Sequence, residues 1–172
     1  MAMEQTVTNV MIRREGVASC SGQETIVRCE ALHVETGRAP EFIDITEDVR
    51  RIATESGVRF GQVTIFSTHT TAAIKVNEHE PLLLQDMARI IQGAAPIHDE
   101  YEHNDFSRRT NVADDECANG HAHCQHLFLS TSETIPIIDG ELATGQWQRI
   151  FLIELDQPRS RRVLVNVIGV AG

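Results

Sequence analysis

QWQRIFLIELDQPRSRRVLVNVIGV, residues 146–170, decides the fold class. Two runs rich in aliphatic and β-branched residues, 146–156 and 161–170, flank the turn Gln157-Pro158-Arg159-Ser160 and read as two strands. Upstream the chain stays β. Asp139-Gly140 is a tight-turn dipeptide between apolar runs. Residues 134–138 read as a strand before it, and residues 123–131 as another. Towards the N-terminus, residues 24–33 suit a first strand and Thr36-Gly37-Arg38-Ala39-Pro40 a turn.

Helical signals interrupt this pattern twice. Thr46 is an N-cap candidate, with Glu47 and Asp48 in the first turn, where acidic groups favour the positive helix end. Val49, Ile52 and Ala53 form the buried stripe, and Gly57 stops the helix. Residues 58–68 follow as a strand, with Val63, Ile65 and Ser67 on one face. Ile74-Lys75-Val76-Asn77 is a short strand. Pro81 opens a second helix on which Leu83, Met87, Ile90 and Ile91 recur at helical spacing, ended by Gly93. The expectation is α+β: a mostly antiparallel, twisted β-sheet with two main helices in one domain over residues 23–172. Residues 1–22 read as a poorly ordered arm.

The length, 172 residues, fits one domain with a real core. A formal net charge of -10 disfavours broad nucleic-acid binding. No apolar run reaches the roughly 20 residues needed to cross a bilayer. The N-terminus lacks the apolar core of a signal peptide, and the cysteines lack a C-x-x-C spacing. A cytoplasmic protein with reduced thiols is expected, with no membrane and no nucleic acid as partner.

Between Pro96 and His126 lie five of the eight histidines. No apolar period persists there, so this is read as a long functional loop. Its acidic run, Asp114-Asp115-Glu116, reads as a solvated excursion. If His121-x-His123 is extended, both rings point to one side and can share a metal ion; the alternative is one backbone-bonded ring and one solvated ring. His103-Asn104-Asp105 could pair an imidazole with an orienting carboxylate, or form a polar turn. The hydroxyls of His69-Thr70-Thr71 suit phosphate oxygens, or are β-favoured threonines at a strand end. Asn77 and His79 precede a helix N-terminus that could receive an anion. Trp147-Gln148 joins a ring to an amide. Arg159, Arg161 and Arg162 cluster at the last turn, either solvated or gripping phosphate. Phosphate-binding loop, dinucleotide, zincin and α/β-hydrolase motifs do not occur.

Together, His69-Thr70-Thr71-Ala72, Asn77, Tyr101-Glu102-His103-Asn104-Asp105, Asn119-Gly120-His121-Ala122-His123, Thr134-Ile135-Pro136, Gly140 and Gly145-Gln146-Trp147-Gln148 resemble the YjbQ-like family, also called UPF0047. The resemblance spans roughly residues 22–169. It implies a compact α+β fold, a homotrimer with sites near subunit boundaries, and a thiamine-phosphate synthase activity. That reaction joins hydroxymethylpyrimidine diphosphate to thiazole phosphate and releases pyrophosphate. The family's recurring histidines fall on His69, His103 and His123, and its acidic residue on Asp105. Gln125 stands where many members carry Lys, which removes a candidate phosphate-binding cation.

The expected site is therefore His69, His103, Asp105 and His123 for catalysis and Thr70, Thr71, Asn77, Trp147 and Gln148 for a small phosphorylated substrate. His103, His121 and His123 are the expected ligands of a divalent metal ion, Zn²⁺ favoured by imidazole and Mg²⁺ by oxygen ligands. Two alternatives stand beside the synthase: a metal-assisted hydrolase of a phosphorylated or carbonyl compound, and a non-catalytic trimeric binding protein.

Overall fold

The computed structural model describes residues 24–113 and 116–171. The expected arm at residues 1–22, and Asp114 and Asp115 of the acidic run, lie outside the described residues. The strands are β1 (Thr25–Glu35), β2 (Glu41–Asp44), β3 (Phe60–Ser67), β4 (Ala72–Glu78), β5 (Ser132–Ile138), β6 (Glu141–Leu142), β7 (Gln148–Glu154) and β8 (Ser160–Val170). The helices are α1 (Thr46–Glu55), α2 (Pro81–Ala94) and α3 (Gly120–His126). Two sheets form, in the orders β1-β8-β3-β5-β6 and β2-β7-β4. Every strand pair is antiparallel. The α+β expectation holds, with the strands shared between two sheets.

The opening stretch shows why there are two. On β8, Val163, Val165 and Val167 are buried, Leu164 and Asn166 between them are half-buried, and Arg162 and Ile168 on either side are exposed, the alternation of a sheet with one wet face. On β7 every residue from Ile150 to Glu154 is buried, as in a strand covered on both sides. Ile150 and Leu152 join α1 and the larger sheet in the main core. Phe151 and Ile153 pack the other way, with Ile91 of α2 and Ala122 of α3. The turn between β7 and β8 is thus a corner that passes the chain from one sheet to the other. It brings Glu154, at the end of β7, against Arg161, near the start of β8.

Local signals act as expected at several ends. Glu80 caps α2 by accepting from the Leu82 and Leu83 N–H groups, with Pro81 in the first turn. Asp139 and Gly140 have φ of 53° and 86°, the left-handed pair that a two-residue hairpin needs. Gly57 has φ 75° after α1. Two ends shift. Ile45, not Thr46, occupies the N-cap position of α1, and Asp44 Oδ1 takes the Thr46 N–H at 2.9 Å. α2 runs through Gly93 to Ala94.

The larger correction falls on residues 96–131. The expected loop contains a 3-10 turn at Glu102–Asn104 and the helix α3. The expected strand at 123–131 is the end of α3 followed by a turn, with one bridge between Ser130 and Ile74. Ala122 is the apolar residue of α3 that reaches the core, between buried His121 and Gln125. With polar residues on its buried face, α3 has no apolar helical period to announce it. Leu127 and Phe128, within the expected strand, are 81% and 68% exposed.

Candidate functional site

Three segments meet around a cavity of about 460 Å³. The first is the β3–β4 connection with His69, Thr70 and Thr71; the second carries His103, Glu116, Cys117, Asn119 and His123; the third is the β7–β8 corner with Asp156, Arg159 and Arg161. Five expected residues, His69, Thr70, Thr71, His103 and His123, therefore line one space. They come from chain segments more than thirty positions apart.

Beneath this cavity lies a buried ion pair. Glu154 is fully buried and Arg161 is 4% exposed. Arg161 donates from Nε and Nη2 to the two oxygens of Glu154, at 2.6 and 2.5 Å. Glu154 also accepts from the Leu155 and Asp156 N–H groups and the Thr36 hydroxyl. A carboxylate this enclosed is tolerable because its lone pairs are occupied and its charge is paired. Arg161 Nη2 further donates to Thr71 Oγ1 at 3.1 Å. That uses the oxygen of Thr71 as acceptor and leaves its O–H free to donate.

His69 is oriented similarly. Its Nε2 lies 2.8 Å from the Arg162 backbone N–H and accepts from it. The proton of the neutral ring therefore sits on Nδ1, which is a donor. Burial lowers the His69 pKa, and the positive charges of Arg161 and Arg159 lower it further, against Glu154. His69 is thus a neutral N–H donor, with no Nε2 lone pair left for a metal ion.

On the opposite side, the His103 and His123 rings meet edge to face with centroids 4.7 Å apart. Burial lowers the His123 pKa, and the neighbouring His103 adds to it. His103 Nε2 is buried without a hydrogen-bond partner among the described residues. Glu116 Oε1 stands 3.8 Å from it. Arg109 engages that carboxylate and holds its pKa below the ordinary value. At the third side Arg159 donates to Asp156 Oδ2 and Cys117 Sγ, at 3.0 and 2.9 Å.

Other expected residues lie elsewhere. His121 and His123 sit two apart on a helix, about 200° around its axis, and cannot aim at one ion. His121 is 4% exposed, hydrogen-bonds the Leu155 backbone and does not line the cavity. Asp105 accepts from the Ser107 N–H and hydroxyl in a local turn and lines a separate cleft with Arg108. Its neighbour Asn104 takes the structural role, accepting the Gly120 N–H at 2.9 Å. Asn77 borders a small apolar cavity beside Met87 and Phe151. The N-terminus of α2 is already occupied by Glu80. Trp147 is 66% exposed, and Gln148 closes its own turn by accepting the Gly145 N–H. Gln125 is 2% exposed and donates to Ala95 O, outside the cavity.

For a metal ion, His103 and His123 supply two nitrogen donors, and the partnerless Nε2 of His103 suits ligation. Glu116 could complete the set only by releasing Arg109. As the side chains stand, no three His, Cys, Asp or Glu among the described residues gather as a metal site.

The sequence model of the family described as UPF0047 protein YjbQ-like matches residues 30–170. The chain belongs to this family. A UPF0047 protein of Methanothermobacter thermautotrophicus is 38% identical over 143 residues, covering 83% of this YjbQ-like chain and 93% of the relative. The UPF0047 protein YugU of Bacillus subtilis is 31% identical, with 81% and 98% covered. A crystal structure from Sulfolobus solfataricus, described as a YbjQ-like protein of unknown function, superposes with a TM-score of 0.77 at 36% identity. It covers 85% of this chain and 99% of its own. The fold is thus the YjbQ-like one.

Asp156 lines the cavity without having been singled out, whereas Arg159 stood in the basic cluster at the last turn and Asn119 in the motif that carried the resemblance. For Asp156 one signal was present: with Glu154 it interrupts an otherwise apolar run, and a charge there demands a partner.

Proposed function

We propose that this YjbQ-like chain is an enzyme acting on a small phosphorylated substrate, by a reaction of the thiamine-phosphate synthase type. The observation that carries the reading is the wall of fixed donors formed by His69 Nδ1–H and the Thr71 hydroxyl beside Arg159. Donors already aimed at a site stabilise charge as it develops, without reorganising at the moment of reaction. In the synthase reaction the thiazole nitrogen attacks the methylene carbon of the pyrimidine. The carbon–oxygen bond to the diphosphate breaks, and pyrophosphate leaves with the electron pair. Its oxygens take hydrogen bonds from His69, Thr70 and Thr71.

A divalent metal ion held by His103 and His123, with Glu116 or a partner subunit completing its shell, is part of this reading. When bound it would neutralise phosphate charge. A homotrimer is the proposed assembly. The outer face of the larger sheet supports it, since Val27, Phe66 and Ile168 are exposed there.

The test is formation of thiamine phosphate from the two purified precursors, with metal measured in protein made without a histidine tag. His69→Ala should lower kcat by about 10²-fold, the usual loss for one such donor. No product with wild-type protein, or rates unchanged in His69→Ala, His103→Ala and His123→Ala, would overturn the assignment. Phosphate ester hydrolysis without synthesis would favour the metal-assisted hydrolase instead.

A further inference from the structure

Thr36 stands one residue beyond the end of β1, is buried, and does not line the cavity. The pairing of β1 with β8 ends where Glu35 faces Ser160. Thr36 and Arg159 carry it one step further by a different route. The Thr36 N–H donates to the Arg159 carbonyl at 3.0 Å. The return bond goes to a side chain: the Arg159 N–H donates to Thr36 Oγ1 at 2.8 Å. The Thr36 hydroxyl has one hydrogen, with Glu154 Oε2 at 3.0 Å and the Arg159 carbonyl at 3.1 Å within reach. An ionised carboxylate is the stronger acceptor, and the carbonyl already has the Thr36 N–H. Oγ1 therefore donates to Glu154 and accepts from Arg159.

Both polar groups of the Arg159 backbone are thus held by one residue. Arg159 itself lies in the corner between β7 and β8, outside either strand. Its guanidinium contacts Asp156 Oδ2 through Nε and Nη2, each at 3.0 Å, and Cys117 Sγ through Nη2 at 2.9 Å. Nη1, with two hydrogens, takes part in none of these contacts. The side chain is 31% exposed and lines the cavity. A side chain this long delivers its charge to one place only if its backbone and its contacts are fixed. Glu154 supplies that fixing twice. Through Arg161 it holds Thr71, and through Thr36 it holds Arg159. Two donors from separate segments are set against a single buried carboxylate.

We propose that Thr36 is a positioning residue: its hydroxyl, outside the cavity, holds Arg159 where the guanidinium meets the anionic end of the substrate. This rests on the preceding assignment of the cavity as a phosphate-binding site. Thr36→Val keeps the shape of the side chain and removes the hydroxyl, whereas Thr36→Ser keeps the hydroxyl.

Two measurements on the full chain test it: calorimetry with pyrophosphate, and the ¹⁵N NMR signal of the Arg159 Nε–H without any anion, identified by its loss in Arg159→Lys. Thr36→Val should bind pyrophosphate about tenfold more weakly, the worth of one hydrogen bond to a charged group, and its Nε–H signal should broaden or exchange faster. Thr36→Ser should match wild type in both. In an Arg159→Lys background Thr36→Val should weaken binding no further, although it still removes a buried hydroxyl. Equal weakening in both backgrounds overturns the proposal, as does an Nε–H signal unchanged in Thr36→Val. If Thr36→Val does not fold, hydrogen exchange on the wild-type protein decides: the Arg159 backbone N–H should be protected, and exchange at the rate of an unfolded chain overturns its bond to Thr36. Wild-type protein that does not bind pyrophosphate, with the Nε–H signals as expected, refutes the phosphate assignment and leaves the hold of Thr36 on Arg159 standing.

Discussion

Replacing Glu154 with Gln removes one charge and almost no volume from the ion pair beneath the cavity. Glu154 is fully buried and Arg161 is 4% exposed, so neither can turn to solvent in place. The variant keeps one oxygen for the Leu155 and Asp156 N–H groups, but its amide NH2 then faces the Arg161 Nε–H in place of an acceptor, so a charge and an acceptor are lost together. Removing one partner of a buried pair costs about 3–5 kcal/mol, mostly from the charge left behind. Against a urea m-value of about 2 kcal/mol/M, that lowers the midpoint by roughly 2 M. Arg161→Met should cost a similar amount, because it strands Glu154. The double variant Glu154→Gln, Arg161→Met should be more stable than either single one, with a coupling energy of at least about 2 kcal/mol. Urea unfolding of the four proteins at one fixed protein concentration gives the cycle. If the single losses add within about 0.5 kcal/mol, or if each stays below about 1 kcal/mol, the charges are not interdependent and the stated basis for the position of Thr71 fails.

Two further outcomes follow from the same geometry. His69, His121, His123 and His126 all have pKa values lowered below 6.5, with burial as the leading cause. Above pH 6.5 both folded and unfolded imidazoles are neutral, and the stability is fully present. As pH falls below that value the unfolded chain takes up protons first, so stability falls by about 1.4 kcal/mol per pH unit for each excess proton. Urea midpoints between pH 5 and 8 should show this, and a flat profile would contradict it. Gly120→Ala is the second case: its Cβ would stand 2.5 Å from Tyr101 Cβ and 2.8 Å from Tyr101 Cγ. Loss of about 1–3 kcal/mol is expected from overpacking, and an unfolding midpoint equal to wild type would refute the close approach.

Local signals sufficed wherever a residue acts on its own neighbours. Asp139-Gly140 encoded its hairpin through two left-handed residues, and Pro81 after Glu80 encoded a helix start. Val63, Ile65 and Ser67 encoded a buried face by alternation. The order of the histidine and threonine motifs was enough to name the family. It also marked His69, Thr70, Thr71, His103 and His123, which the fold brings to one cavity. Tertiary contacts decided the rest. α3 forms with His121, Ala122 and Gln125 on its buried face, so no apolar period foretold it. Once helical, it separates the two imidazoles that an extended reading would have paired. Asp105, Asn77 and Gln148 are bound by their own turns or a separate cavity, a choice that depends on how each segment lies against its neighbours. Glu154 read as a charge in an apolar run that lacked a partner, and Arg161 as one of a basic cluster at the last turn. Only the corner between the two sheets makes them a pair, because burial leaves each no other partner for its charge.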